Sequence, residues 1–197
     1  MTNKLSKPII HACVLAAGQS SRFGKTKLTQ IFRGLPMVQH ALLAAQGACK
    51  NRVSLIVGHN ADAVIEASGG LADSLILNSN FKNGLGSSIA TAVNSTQQIA
   101  DAVLIILGDQ PLVSSQQLKM LIKTWSGSSN EIIASSYSGT EGPPILFPKD
   151  SYPSLINLKG ELGAKKVMNN IQFSVKKIQL PSAGFDIDTQ EDFNNLN

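Results

Sequence analysis

The stretch Leu15-Ala-Ala-Gly-Gln-Ser-Ser-Arg-Phe-Gly-Lys-Thr-Lys27 directly follows an apolar run over residues 9–14, which predicts a buried strand. The loop behind that strand holds two glycines, several small residues and three cations. Small residues let backbone N–H groups approach a phosphate closely, and cationic side chains balance its charge. We therefore expect a strand that ends in a phosphate-binding loop, with Arg22 and Lys27 as the phosphate contacts.

The spacing of the glycines excludes two common nucleotide-binding fingerprints. The loop is not Gly-x-Gly-x-x-Gly, and no helical pattern begins directly behind it. Gly24-Lys25-Thr26 imitates the end of the Walker motif, but the leading glycine of that motif would have to stand at Gln19. Gly18 lies one residue too early, so the loop binds anions by another pattern.

Apolar, β-branched runs alternate with amphipathic stretches along the chain. Six runs are predicted as strands, over residues 9–15, 52–57, 74–77, 102–107, 131–135 and 173–178, and four stretches as helices, over residues 36–48, 61–67, 87–99 and 114–125. This alternation predicts an α/β fold, with one Rossmann-like domain over residues 1–197 and a mostly parallel sheet flanked by helices. The loops at Gly18, Gly58, Asn78 and Gly108 then lie at the edge where open α/β sheets bind ligands.

The segment 136–148 breaks the alternation. Ser-Gly-Thr-Glu-Gly-Pro-Pro is typical of turns, and the apolar residues 145–147 behind it predict a short strand in a small antiparallel excursion. A helical segment over residues 162–170 precedes the last strand.

Composition narrows the class of protein. The chain has 197 residues, which suits one domain, and a net charge of +4 without a long run of lysine or arginine, which disfavours nucleic-acid binding. Cys13 and Cys49 are expected to be small buried hydrophobes in a reducing cytoplasm. The histidines lack the spacing of zinc ligands, and neither a signal peptide nor a membrane span fits the N-terminus.

Two groups of carboxylates suggest a metal site. Asp109 directly follows the predicted strand 102–107, on the same edge as the glycine loop, where a carboxylate suits a Mg²⁺ ion on nucleotide phosphates. Asp186 and Asp188 alternate with an apolar residue, so both face one side of an extended chain. Together the three carboxylates could hold a metal between two phosphate-bearing substrates. The competing interpretations are a turn or N-cap role for Asp109 and helix capping near Thr189.

Six motifs in order resemble the nucleotidyltransferases of the molybdopterin-nucleotide type, and most closely the molybdenum cofactor cytidylyltransferase branch. They are the glycine loop, Asn78-Ser-Asn-Phe-Lys-Asn-Gly-Leu-Gly-Ser-Ser88, Gly108-Asp-Gln-Pro111, Gly142-Pro-Pro-Ile-Leu-Phe147, Gly160-Glu-Leu-Gly-Ala-Lys165 and Phe185–Asp192. The resemblance covers nearly the whole chain and implies the nucleotide-diphospho-sugar transferase type of fold. It also implies a Mg²⁺-dependent enzyme that uses an NTP, with CTP favoured over GTP.

The resemblance also implies residue roles. Arg22, Lys27 and Asp109 would be catalytic, and a metal would be bound by Asp109 with Asp186 or Asp188. The nucleotide would be bound by Arg22 and Lys27 together with Leu15, Ala16, Ala17, Gly18, Gly58, Ser79, Gly86 and Ser87. The phosphorylated acceptor, molybdopterin in this family, would be bordered by Pro143, Pro144, Gly160 and Lys165, and a molybdoenzyme would be the partner.

The implied reaction needs no protein nucleophile, since positioning and charge neutralisation supply most of the rate. Glu161 and Lys165 stand where the family carries aspartate and arginine, and Pro143 where close relatives often carry a polar residue. These departures leave the acceptor less certain than nucleotidyl transfer. Guanylyl transfer, another phosphorylated acceptor, and a non-catalytic nucleotide-binding chaperone are the alternatives.

Overall fold

The computed structural model describes residues 7–20, 23–158, 160, 163–185, 187, 191 and 193. In chain order, its strands and helices are β1 (Ile10–Ala16), β2 (Ile31–Phe32), β3 (Leu35–Pro36), α1 (Met37–Ala48), β4 (Val53–Val57), α2 (Ala61–Ala67), β5 (Ser74–Leu77), α3 (Leu85–Thr96), β6 (Ala102–Leu107), α4 (Ser115–Thr124), β7 (Glu131–Tyr137), β8 (Thr140–Pro148), α5 (Tyr152–Ile156), α6 (Lys165–Met168) and β9 (Ser174–Gln179).

The main sheet has seven strands in the order β5-β4-β1-β6-β8-β7-β9. Every neighbouring pair is parallel except the two pairs made by β8, which runs against both β6 and β7. A second, two-stranded sheet is the antiparallel pair β2 and β3. The predicted α/β fold with a mostly parallel sheet is therefore confirmed.

Strand β1 lies between β4 and β6, and all seven of its residues are buried. Alternate side chains enter two separate cores, because successive residues of a strand point to opposite faces. Ala12 and Val14 pack with α1 and α4 on one face, and Cys13 and Leu15 with α3 and α5 on the other. Burial raises the pKa of the Cys13 thiol to about 12, so this cysteine behaves as a small hydrophobe, as predicted.

The carboxyl ends of four parallel strands meet at one edge of the sheet. Ala16 of β1 is level with Val57 of β4, Val57 is level with Leu77 of β5, and Leu15 of β1 is level with Leu107 of β6. The loops that begin at Gly18, Gly58, Asn78 and Gly108 therefore leave the sheet together, as the alternation of strands and helices predicted.

The antiparallel strand predicted in segment 136–148 is confirmed, but it is longer than the predicted residues 145–147. The turn is confined to Ser138 and Gly139, with φ of 50° and 74°, and β8 is a nine-residue strand inserted in the main sheet between β6 and β7. Pro143 and Pro144 fit within it because both ladders skip them: β6 pairs with β8 only from Ile145 onward, and β7 has a register shift there.

Two short elements of secondary structure were not predicted from the sequence. The β2–β3 hairpin turns at Arg33 and Gly34, with φ of 46° and 85°, and its strands are too short to show a period. Helix α5 spans only Tyr152–Ile156. No helix in the described part of the chain has the length and apolar character that crossing a bilayer requires.

His11 is a buried polar residue near the start of β1, at the edge opposite the four loops. It is 7% exposed, its Nε2 lies 2.7 Å from the Ser54 hydroxyl, and that hydroxyl lies 2.7 Å from the Ser74 hydroxyl. Burial is the largest cause that lowers the pKa of His11 below its ordinary value. The folded protein therefore favours the neutral imidazole.

We expect this histidine to make the protein less stable in acid. The unfolded chain takes up a proton below about pH 6.5, whereas folded His11 resists it, so its contribution is present above that pH and is lost as the pH falls. Urea unfolding at about pH 7.5 and about pH 5 should show a smaller loss of unfolding free energy for His11→Gln than for the wild type. Equal losses for the two proteins would contradict the assignment.

Candidate active site

Lys27 and Asp109 form an ion pair at the carboxyl edge of the sheet. The Lys27 Nζ lies 2.7 Å from the Asp109 Oδ2, and the exposed fractions of the two side chains are 8% and 25%. Lys27 lies in the short 3₁₀ turn that ends the glycine loop, and Asp109 follows β6. The fold thus joins two of the three predicted catalytic residues across 82 positions of sequence.

Backbone hydrogen bonds join the end of β1 and the glycine loop to the ends of the two neighbouring strands, β6 and β4. The Gly108 N–H donates to the Leu15 carbonyl at 2.9 Å, and the His59 N–H donates to the Ala17 carbonyl at 3.2 Å. Leu15 and Ala16 lie within β1, whereas Ala17 and Gly18 begin the loop. Three of these four predicted nucleotide contacts are buried, and Gly18 is exposed.

Gly58 is a point of close approach. A Cβ there would lie 2.8 Å from both the Ala17 Cβ and the Phe81 Cβ. The end of β4 is therefore packed against the glycine loop on one side and the segment before α3 on the other. This close packing explains why a glycine stands at position 58, which the sequence pattern alone did not explain.

The segment that leads into α3 is organised by Asn78. This buried side chain donates from Nδ2 to the Ser87 hydroxyl at 3.0 Å and to the Ser88 hydroxyl at 3.1 Å. Gly86 is buried in the first turn of α3, and Ser79 is exposed. Three predicted nucleotide-binding residues, Ser79, Gly86 and Ser87, therefore share one segment, and Asn78 is the residue that orders it.

A polar pocket of about 360 Å³ opens beside these loops. Its walls come from two segments, the glycine loop and the corner between β4 and α2, and they consist of Gln19, Ser20, Gly24, Lys25, Thr26, His59 and Asn60. The Asn60 Nδ2 donates to the Thr26 hydroxyl at 2.7 Å and so joins the two walls. Sequence reasoning did not single out His59, although it directly follows Gly58 at a strand end.

The predicted acceptor side is connected to Asp109 through its neighbour, Gln110. This fully buried side chain donates to the Pro143 carbonyl at 3.1 Å and to the Ala183 carbonyl at 2.8 Å. Pro143 and Pro144 are buried in β8, and Gly160 is exposed with φ of 70°. The exposed Lys165 donates to the Thr140 hydroxyl at 2.6 Å, at the start of β8.

Three predicted site residues, Arg22, Asp186 and Asp188, lie outside the described residues. Ile187 is described: it is buried in the core, and its N–H donates to the Asp109 carbonyl at 3.5 Å.

The residues at Asp109 fit a hard divalent cation in type, because a partly exposed carboxylate supplies the oxygen ligand that Mg²⁺ or Mn²⁺ prefers. Within the part of the chain that the structure describes, no group of three His, Cys, Asp or Glu residues is placed to hold a metal. A complete site would therefore need ligands in addition to Asp109.

Comparison with protein families decides the class. Residues 12–176 match the model of the MobA-like NTP transferase domain, which is most of the chain. The chain belongs to the MobA-like NTP transferase family. It is therefore a nucleotidyltransferase, as the resemblance of the six motifs implied, and the molybdenum cofactor branch is a narrower assignment within that class.

The similarity to individual relatives covers different shares of their sequences. The purine catabolism protein PucB of Bacillus subtilis is 27% identical over 96% of each chain. The bifunctional protein GlmU of Pelobacter propionicus is 35% identical over 57% of this chain. The match spans only 25% of that protein.

Solved structures share the fold. Rv0371c of Mycobacterium tuberculosis has a TM-score of 0.79 at 25% identity, covering 96% of this chain and 98% of that one, and has also been solved with manganese. A nucleotidyl transferase of Methanothermobacter thermautotroptrophicus has a TM-score of 0.84 at 20% identity, covering 96% of both chains. The molybdopterin-guanine dinucleotide biosynthesis protein A of Archaeoglobus fulgidus has a TM-score of 0.73 at 15% identity, covering 94% and 96%.

Gly58→Ala should destabilise the protein, because its Cβ would overlap two neighbouring side chains. We expect a loss of about 1–3 kcal/mol in the free energy of unfolding, as for other overpacked positions. Gly18→Ala is the matched control, since a Cβ there meets no atom within 4 Å. Urea unfolding measures both variants, and equal stability of the two would contradict the packing argument.

Proposed function

We propose that this nucleotidyltransferase transfers CMP from CTP to the terminal phosphate of molybdopterin and releases pyrophosphate. The observation that carries the nucleotidyl half is the Lys27–Asp109 ion pair beside a polar pocket at the carboxyl edge of the sheet. The six motifs that resemble molybdenum cofactor cytidylyltransferases support the acceptor. The fold shared with a molybdopterin-guanine dinucleotide biosynthesis protein is consistent with it.

The chemistry is a displacement at the α-phosphorus of the NTP. An oxygen of the acceptor phosphate forms a new bond to that phosphorus, and the bond to the oxygen that bridges the α- and β-phosphates breaks. The electron pair of the broken bond leaves with pyrophosphate. No protein group is covalently modified, so the chain acts by positioning the substrates and balancing charge.

Lys27 and Asp109 have complementary roles in this proposal. The Lys27 ammonium is buried and balances negative charge on the phosphates, together with the predicted contact Arg22. Asp109, with Asp186 or Asp188, would hold the Mg²⁺ ion, which would neutralise phosphate charge when bound. The manganese complex of Rv0371c supports a divalent cation in this fold, and Mg²⁺ is the ion that we propose for this chain.

The acceptor side is proposed to lie along β8 and the segment from Gly160 to Lys165. Gln110 supports this placement because it ties the carbonyl of Pro143 to the residue that follows Asp109. Lys165 supplies a positive charge for an acceptor phosphate, although without the two-pronged geometry of arginine. Pro144 also lies in this part of β8, directly after Pro143.

Two narrower alternatives remain within the same class. Guanylyl transfer is favoured by the molybdopterin-guanine dinucleotide protein among the structural neighbours. Transfer to another phosphorylated acceptor is the second alternative, and the similarity to GlmU of Pelobacter propionicus, over 25% of that protein's length, is the observation that favours it.

Pyrophosphate release from each of the four ribonucleoside triphosphates, with Mg²⁺ and with or without molybdopterin, tests the proposal. We expect release with CTP that depends on molybdopterin. Pyrophosphate release with GTP instead of CTP would show that the proposed nucleotide is wrong. Release only with a different phosphorylated acceptor would show that the proposed acceptor is wrong. No release with any of them would contradict the proposed reaction.

Asp109→Asn should lower kcat by at least about a hundredfold, because charge stabilisation at the reacting phosphate is lost. It also removes the negative charge that lies 2.7 Å from the buried Lys27 ammonium, which lowers stability. The matched control is Glu66→Gln, at an exposed carboxylate on α2, which should change neither quantity.

The double variant Lys27→Met with Asp109→Leu separates the two effects. It removes both charges, so we expect it to be more stable than Asp109→Asn but equally inactive. Thermal unfolding and pyrophosphate release measure the two properties. Recovery of activity together with stability would show that the ion pair acts only as a structural contact.

A further inference from the structure

The chemistry of the polar pocket restricts what it can hold. All seven described residues that line it are polar or glycine, and six of them carry an N–H or O–H donor on the side chain. Lys25 adds a positive charge, and the His59 imidazole adds a ring N–H. Among the described residues, no carboxylate lines it. A nucleobase needs apolar or aromatic faces, whereas an anion needs N–H and O–H donors, so these walls suit phosphate. The volume of about 360 Å³ is within the range of small-molecule sites.

The pocket adjoins the ion pair without containing it. The hydroxyl of Ser20, a wall residue, accepts from the Lys27 N–H at 3.4 Å. Thr26, another wall residue, directly precedes Lys27. A phosphate chain whose α-phosphate lies at Lys27 and Asp109 would thus extend into the pocket with its outer phosphates.

Lys25 and His59 come from different walls of the pocket. Lys25 is exposed on the glycine loop, and within the described part of the chain it has no carboxylate partner. His59 is half-buried at the β4–α2 corner, where its backbone is bonded to Ala17 and its ring packs against Phe81 with the centroids 5.8 Å apart. Lys27, by contrast, is already paired with Asp109.

We propose that Lys25 and His59 bind the outer two phosphates of the nucleoside triphosphate and hold pyrophosphate as it leaves. This inference rests on the proposed function and adds two residues to its nucleotide site. The β4–α2 corner thereby becomes a wall of the phosphate site, and Asn60 keeps it in register with the glycine loop through Thr26.

The test compares ligands that have or lack outer phosphates. Isothermal titration calorimetry with Mg²⁺ measures the affinity of Lys25→Met and His59→Asn for inorganic pyrophosphate, for the best-bound of the four ribonucleoside triphosphates, and for its monophosphate. We expect each variant to lose about tenfold or more for the first two ligands, as for lost hydrogen bonds to charged groups, and to keep its affinity for the monophosphate. Lys119→Met, at an exposed lysine on α4, is the charge-matched control and should lose nothing.

The outcomes separate this inference from the proposed function. If a variant loses affinity equally for the triphosphate and the monophosphate, or if neither variant loses affinity for any ligand, the assignment of Lys25 and His59 is overturned. The proposal of nucleotidyl transfer would be unaffected. A wild type that binds no triphosphate and no pyrophosphate would overturn both. Thermal unfolding checks that the variants are folded. If His59→Asn does not fold, the test rests on Lys25→Met, which lies at an exposed loop position.

Discussion

The parallel pairing of β1 with β4 on one side and β6 on the other is the constraint on which the site depends. It aligns the carboxyl ends of the three strands, so the glycine loop, the β4–α2 corner and the Asp109 loop leave the sheet side by side. The Gly108 N–H bonded to the Leu15 carbonyl extends that alignment beyond the strands. Side chains that are distant in sequence therefore meet at one edge of the sheet.

Small residues let the loops at this edge pack closely. A Cβ at Gly58 would lie 2.8 Å from the Cβ atoms of both Ala17 and Phe81, and a Cβ at Gly108 would lie 3.1 Å from the Leu15 carbonyl oxygen. The glycine backbone therefore lies directly against its neighbours where a larger side chain would separate the loops. The Lys27–Asp109 pair at this edge is partly shielded from water, so its charges act more strongly.

The reversed strand β8 gives the site its second side. Because it lies between β6 and β7, it brings Pro143 next to the Asp109 loop, where the Gln110 side chain bonds to its carbonyl. The same side chain bonds to Ala183, which leads toward Ile187 and its contact with the Asp109 carbonyl. One buried amide thus ties three segments together at the boundary between the two predicted substrate sides.

The sequence by itself determined the parallel α/β core, through its continuous apolar strands, and the class of enzyme, through the six motifs that resemble nucleotidyltransferases. Both depend on local signals. The anion-binding role of the glycine loop stays a prediction from its glycine spacing and cations. Only the tertiary structure decided that β8 is a nine-residue strand inside the main sheet, that Lys27 pairs with Asp109, and that His59 lines the polar pocket. Each of these depends on contacts between residues far apart in sequence, such as the 82 positions between Lys27 and Asp109. No local pattern encodes such a contact, since it exists only when the strands are paired in register.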